Sequence, residues 1–144
     1  MTIKERNQQL RVVAEILLVH IPDKIESDPA LTRDLLSVAA TSLRAIADDA
    51  EKSAKAWDKR AYDLRADELR REWAWAEGAA NYTLGVALRP KAITMTEIGK
   101  ICRLIDVDLE KPARRQVKDP TVFKGASRAV RRQEAQRKKP VRGQ

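Results

Sequence analysis

The sequence predicts an all-α protein, a small helical bundle built on a long helix or a helical hairpin. Its apolar residues recur at helical spacing and nowhere alternate as in a β-strand. Gly (5) and Pro (6) are scarce among the 144 residues. Residues 30–77 contain twelve alanines, no Gly, no Pro and only four β-branched side chains, a composition that strongly favours helix.

The first helix is expected over about residues 3–20, where a stripe of aliphatic side chains keeps helical spacing. Pro22 is expected to end it, because proline lacks the N–H that a helix interior needs. Asp28 and Pro29 then have the residue types of an N-cap and a first helical position. A second helix is therefore predicted to begin at Pro29.

No breaker residue follows Pro29 until Gly78, so we expect one long continuous helix. Asp48 and Glu51 have capping-box spacing and mark the alternative, a second helix that begins near Asp48. The chain would then fold back as a hairpin.

The segment from Trp73 to Leu88 has a single charged residue, Glu77. A helix that is apolar on more than one face is normally buried, either within its own bundle or against another chain. Trp73, Trp75 and Tyr82 are therefore the candidate protein-interface residues.

Thr94 and Glu97 have capping-box spacing and predict a further short helix. Gly99 within it stands where the first helix of a helix-turn-helix often carries a small residue. Arg103, where the turn usually has Gly, and Pro112, in the segment of the second helix, argue against that motif.

Charge divides the chain into a helical body, residues 1–109, and a basic tail, residues 110–144. The body has 17 Lys and Arg against 18 Asp and Glu, whereas the tail has 12 against 3. A flexible arm with this excess suits a polyanion, because cations that neutralise backbone phosphates release condensed counterions. The candidate nucleic-acid-binding residues all lie in this tail: Arg114, Arg115, Lys118, Lys124, Arg128, Arg131, Arg132, Arg137, Lys138 and Lys139. The alternative is a tail that only solubilises the protein or directs its localisation.

No residue pattern predicts catalysis, a metal or a cofactor. His20 is the only histidine and has no partner for a triad or a metal site in the sequence, so it is expected to favour the C-terminal end of its helix. Cys102 is expected to be a buried, unreactive thiol. Asp106, Asp108 and Glu110 offer too few ligands for a calcium loop.

The sequence thus predicts a non-enzymatic, cytoplasmic protein without a signal sequence or a membrane span. The leading hypothesis is a small subunit of a nucleoprotein assembly, which binds DNA or RNA backbone phosphates through its tail and docks on protein through its body. The alternative is a helical scaffold or adaptor that oligomerises or docks on a protein partner through its long helix.

Overall fold

The structure is a computed structural model that describes residues 3–137. Over this range it is all-α, without strands, as the sequence predicts. Its helices are α1 (Ile3–Glu15), a π-helical turn (Ile16–His20), α2 (Ile21–Lys24), α3 (Pro29–Lys59), α4 (Asp63–Trp73), α5 (Trp75–Leu88), α6 (Met95–Leu104), a 3₁₀ turn (Pro120–Phe123) and α7 (Ala126–Arg137).

The prediction that Pro22 ends the first helix was wrong, since the helical path continues to Lys24. Residues 16–20 form a π-helical turn in which the Ile21 N–H bonds to the Ile16 carbonyl, five residues back. The hydrogen bonding changes from π to α at Ile21 without a break in the helical path. Pro22, the second residue of α2, therefore lies within this path, which has one backbone N–H fewer at the proline.

The prediction of one continuous helix from Pro29 onward was also wrong. The chain reverses at residues 60–62, and Asp48, the alternative break point, lies inside α3. Ala61 adopts the left-handed conformation with φ of 61°. Its N–H bonds to the Asp58 carbonyl (2.9 Å), and the Tyr62 N–H bonds to the Trp57 carbonyl (3.0 Å). These two hydrogen bonds make a Schellman C-cap, here with alanine at the position that glycine usually occupies.

Helices α4 and α5 run antiparallel to α3, which makes a helical hairpin, the alternative prediction, with its turn at residues 60–62 and not near Asp48. Near the turn, Arg70 forms ion pairs with Glu51 (3.2 Å) and Asp58 (2.7 Å) of α3. At the far end of the hairpin, the Arg33 guanidinium donates to the Ala87 carbonyl at 2.6 Å. Arg33 also donates to two carbonyls after α5, so it satisfies backbone acceptors that the helix end leaves free.

The core lies between α3, α5, α6 and the first helical segment, by which we mean α1, the π-helical turn and α2 together (residues 3–24). Its fully buried side chains include Ile16, Leu17, Leu35, Leu43 and Ile101. A second buried cluster contains Trp73, which is 9% exposed, and Ala76 with Ile46 and Ala50 of α3. The apolar segment that begins at Trp73 therefore buries one face within one chain, while residues such as Ala74, Gly78 and Gly85 are exposed.

Helix α6 begins with the predicted capping box, in which the Thr94 hydroxyl and the Glu97 carboxylate each accept the other residue's backbone N–H. Residues 105–119 that follow it contain no helix. The described chain therefore has no second helix where a helix-turn-helix would need one.

Candidate nucleic-acid interface

The basic tail is bound to the body by a buried carboxylate, Glu15. This side chain is fully buried at the end of α1. Its two oxygens accept the backbone N–H groups of Gln116 (2.8 Å) and Val117 (2.7 Å). One of them also lies 3.1 Å from the His20 Nε2. Glu15 therefore holds a tail segment and the only histidine at one point.

The π-helical turn explains why Glu15 and His20 meet. Residues five apart diverge around an α-helix, but a π-helical turn closes its hydrogen bonds at that spacing and brings the two side chains to one side. Burial by itself would raise the pKa of Glu15, because it disfavours the charged form. The backbone donors of Gln116 and Val117, together with His20, outweigh burial and hold the pKa of Glu15 below its usual value. The carboxylate is therefore ionised at neutral pH.

A second carboxylate, Asp34 of α3, holds the start of α7. Asp34 is 8% exposed and accepts the backbone N–H groups of Gly125 and Ser127, both at 2.9 Å. These N–H groups lie at the start of α7, where the helix itself supplies no carbonyl groups to accept them. Gly125 has φ of 90°, a conformation that residues with a side chain rarely adopt. The negative charge of Asp34 also complements the positive end of the α7 dipole.

Further contacts join the tail to the body beyond these two carboxylates. Phe123 packs against the main core, and the Arg131 guanidinium donates to the Leu88 carbonyl at 3.2 Å. The described part of the tail is therefore held against the body at several points between Gln116 and Arg131. Flexibility of the tail stays a prediction, and Lys138 and Lys139 lie outside the described residues.

Several cations line an open pocket of about 650 Å³ between the end of the first helical segment and the tail. We call it the basic pocket. Lys24 of α2 lines it with Asp23, its ion-pair partner at 3.4 Å. His20 forms another part of the wall. The tail contributes three cations to the lining: Lys111, Arg115 and Lys118.

Arg114 lies outside the basic pocket, in a neighbouring groove that Lys111 also lines. Arg11 of α1 adds a further cation to this groove, but the acids Glu72, Asp108 and Glu110 line it as well. Because acids interleave with the cations, this groove favours an anion less than the basic pocket does.

Helix α7 carries a second exposed group of cations. Arg128 and Arg132 are exposed and one helical turn apart, on the side opposite the half-buried Val130 and Glu134. Lys124 is exposed just before this helix. Two other predicted binding residues already have partners, Arg131 at the Leu88 carbonyl and Arg137 at Glu134 (3.1 Å).

The candidate protein-interface residues lie mainly inside the monomer. Trp73 is buried, and the Arg6 guanidinium lies 5.2 Å from its ring centroid. Trp75 and Tyr82 are half-buried and pack against the core. Trp73 therefore already has an intramolecular role, while an interface role for Trp75 and Tyr82 stays a prediction.

The remaining candidate groups are distant from the basic pocket or lack the geometry of a site. Cys102 is half-buried, and burial raises the pKa of its thiol against the opposing effect of Arg103. Asp106, Asp108 and Glu110 are exposed, and within residues 3–137 no three His, Cys, Asp or Glu side chains are grouped to hold a metal ion. No helix of the described chain has the length and apolarity to span a membrane.

Sequence reasoning missed Glu15, Asp34 and Lys24, which hold the tail or join its cations. A five-residue spacing between a glutamate and a lone histidine is the only signal that could have indicated the first of these. No protein family, curated protein or solved structure matches this chain.

Proposed function

We propose that the protein is a non-catalytic, cytoplasmic subunit of a nucleoprotein assembly that binds the phosphate backbone of DNA or RNA. The observation that supports this proposal most is that body and tail together line the basic pocket, Lys24 from the body and Lys111, Arg115 and Lys118 from the tail. The binding surface consists of this pocket and the exposed arginines of α7, Arg128 and Arg132.

The two buried carboxylates make this surface more effective than a free arm with the same charge. Immobilising each long side chain or loop on binding costs free energy. Glu15 and Asp34 hold the backbone beside the tail cations before any ligand arrives. Binding is then driven by counterion release from the phosphates and is independent of base sequence.

The experiment measures the fluorescence anisotropy of labelled 20-mers, duplex and single-stranded, over a series of salt concentrations. If about six phosphates are neutralised, log affinity should fall with log salt with a slope near −5 for duplex. In the fourfold variant R115A/K118A/R128A/R132A, the magnitude of that slope should be smaller by roughly 3 to 4. The variant should also bind all sequences more weakly and to the same extent.

A control removes two exposed lysines of α3 that lie outside the proposed surface, K52A/K55A, and is compared with R128A/R132A, which removes the same number of charges. It should leave affinity and salt slope close to those of the unaltered protein. The proposal fails if the unaltered protein binds neither form of nucleic acid, or if K52A/K55A weakens binding as much as R128A/R132A does.

One observation supports the alternative, a scaffold or adaptor role. Tyr62 and Leu64 at the turn between α3 and α4 are 56% and 79% exposed. The neighbouring Trp57 ring has the guanidinium groups of Arg60 and Arg65 within 5.8 Å of its centroid. Aromatic residues and arginine are common at the centres of protein interfaces. If this turn mediates self-association, L64D should convert the oligomer to a monomer in light scattering, and a monomeric unaltered protein would exclude it.

A further inference from the structure

We propose that the basic pocket binds a phosphate monoester dianion, as found at the terminal phosphate of a nucleic-acid strand. If the phosphate belongs to a nucleic-acid strand, the inference rests on the proposed function. It goes further because it assigns the strand end, not the backbone, to one defined site.

The charge in the pocket comes from parts of the chain that are far apart in sequence. Lys24 belongs to α2, whereas Lys111, Arg115 and Lys118 belong to the tail. Asp23 is the acid that lines the pocket, and it is paired with Lys24, whose charge also interacts with the carboxylate of Asp119. Among residues 3–137 the three tail cations make no ion pair. The pocket therefore has an excess of positive charge that a dianion would neutralise.

The charge of the pocket favours the end of a strand over its middle. A backbone diester carries a single negative charge and leaves only two free phosphate oxygens. A terminal phosphate carries up to two negative charges and three free acceptor oxygens at neutral pH. The planar guanidinium of Arg115 can donate two parallel hydrogen bonds to such a group, and Lys111 and Lys118 supply point charges.

Glu15 organises the pocket without entering it. The carboxylate binds His20 on one wall and the backbone of Gln116 and Val117 on the other, directly between Arg115 and Lys118. Glu15 is fully buried, does not line the pocket, and has both carboxylate oxygens occupied by the N–H groups of Gln116 and Val117. Its role is to position the cations.

The test compares one single-stranded 12-mer with a 5′-phosphate, a 3′-phosphate or hydroxyl groups at both ends, by competition at constant ionic strength. One of the two phosphorylated oligonucleotides, 5′ or 3′, should bind about tenfold more tightly than the oligonucleotide with two hydroxyl ends. This ratio corresponds to about 1.4 kcal/mol. In R115A/K118A this ratio should fall to one. In R128A/R132A all three oligonucleotides should bind more weakly while the ratio is retained. Circular dichroism verifies that both variants are folded.

Inorganic phosphate and pyrophosphate, with chloride at equal ionic strength as the control, distinguish a free ligand from a strand end. A rise in Tm with either anion that is lost in R115A/K118A supports the monoester site even if no oligonucleotide binds, in which case the proposed function fails alone. Equal binding of all three oligonucleotides, with no rise in Tm from phosphate or pyrophosphate, overturns the inference and leaves backbone binding intact.

Discussion

Replacing Glu15 should destabilise the fold and release the tail segment that it holds. Its carboxylate accepts hydrogen bonds from Gln116 and Val117 at 2.8 and 2.7 Å and lies 3.1 Å from His20 Nε2. Hydrogen bonds to a charged group contribute about 1.5 to 3 kcal/mol each to stability. When Glu15 is replaced, donors that become exposed can bond to water, which restores part of this free energy. We expect E15A to lower the free energy of unfolding by about 3 to 5 kcal/mol, the range for breaking a buried charged network. E15Q keeps one acceptor oxygen and should cost about 2 kcal/mol.

The effect should depend on pH with a defined sign. The pKa of Glu15 is lower in the folded protein than its usual value, so the unfolded chain binds the proton more tightly. The stabilisation by ionised Glu15 is therefore complete above the unfolded pKa of about 4.3 and is lost as pH falls through the folded pKa. The difference in stability between the unaltered protein and E15Q should shrink as the pH falls below about 4.3.

Urea unfolding followed by circular dichroism measures these differences, and limited trypsin digestion reports exposure of the bonds after Arg114 and Arg115. E26Q, at an exposed glutamate between α2 and α3, is the matched control and should leave both measurements unchanged. If E15Q loses less than about 0.5 kcal/mol, the level of an ordinary surface substitution, and is digested no faster, Glu15 does not hold the tail.

The other stability predictions concern the turn, the core and the start of α7. A61G should raise the free energy of unfolding by about 1 kcal/mol, because glycine adopts positive φ without the steric cost that alanine has; an unchanged or lower urea midpoint would contradict the left-handed C-cap. W73A should lower the free energy of unfolding by about 3 to 5 kcal/mol, because Trp73 packs in a buried cluster with Ile46. An unchanged Tm would refute burial of Trp73. D34N removes the charge that the Gly125 and Ser127 N–H groups share and should cost about 1 to 2 kcal/mol, with faster amide exchange confined to α7; uniform exchange would contradict a local role.

Much of the fold could be predicted from local signals in the sequence. Asp28 and Pro29 do begin α3, and Thr94 does cap α6, because capping depends on residues within one turn of each other. The turn at Ala61 could not be predicted, because alanine strongly favours helix. The reversal is stabilised by contacts of α4 with α3, such as those of Arg70 with Glu51 and Asp58, which only the folded chain brings together.

The candidate site was predictable only in part, for the same physical reason. Charge is a sum over the chain, so the basic tail is visible in the composition without any structure. The positions of its cations depend on hydrogen bonds between Glu15 and backbone groups more than one hundred residues later in the chain. Every residue except proline has a backbone N–H, so the sequence does not show which of them will donate to a carboxylate. In the sequence, Glu15 cannot be distinguished from a glutamate that is exposed to solvent.

The same long-range hydrogen bonds change what a deletion would measure. Charge alone predicts that truncation after Leu109 leaves a folded body that has lost its affinity for nucleic acid. In the structure, that truncation also removes both backbone donors of Glu15 and both of Asp34, and it leaves two buried carboxylates without them. Such a deletion should lower the free energy of unfolding by several kcal/mol, since each of these carboxylates loses charged hydrogen bonds. Folding and binding are therefore coupled through the tail, and only substitutions at exposed cations such as Arg128 and Arg132 separate them.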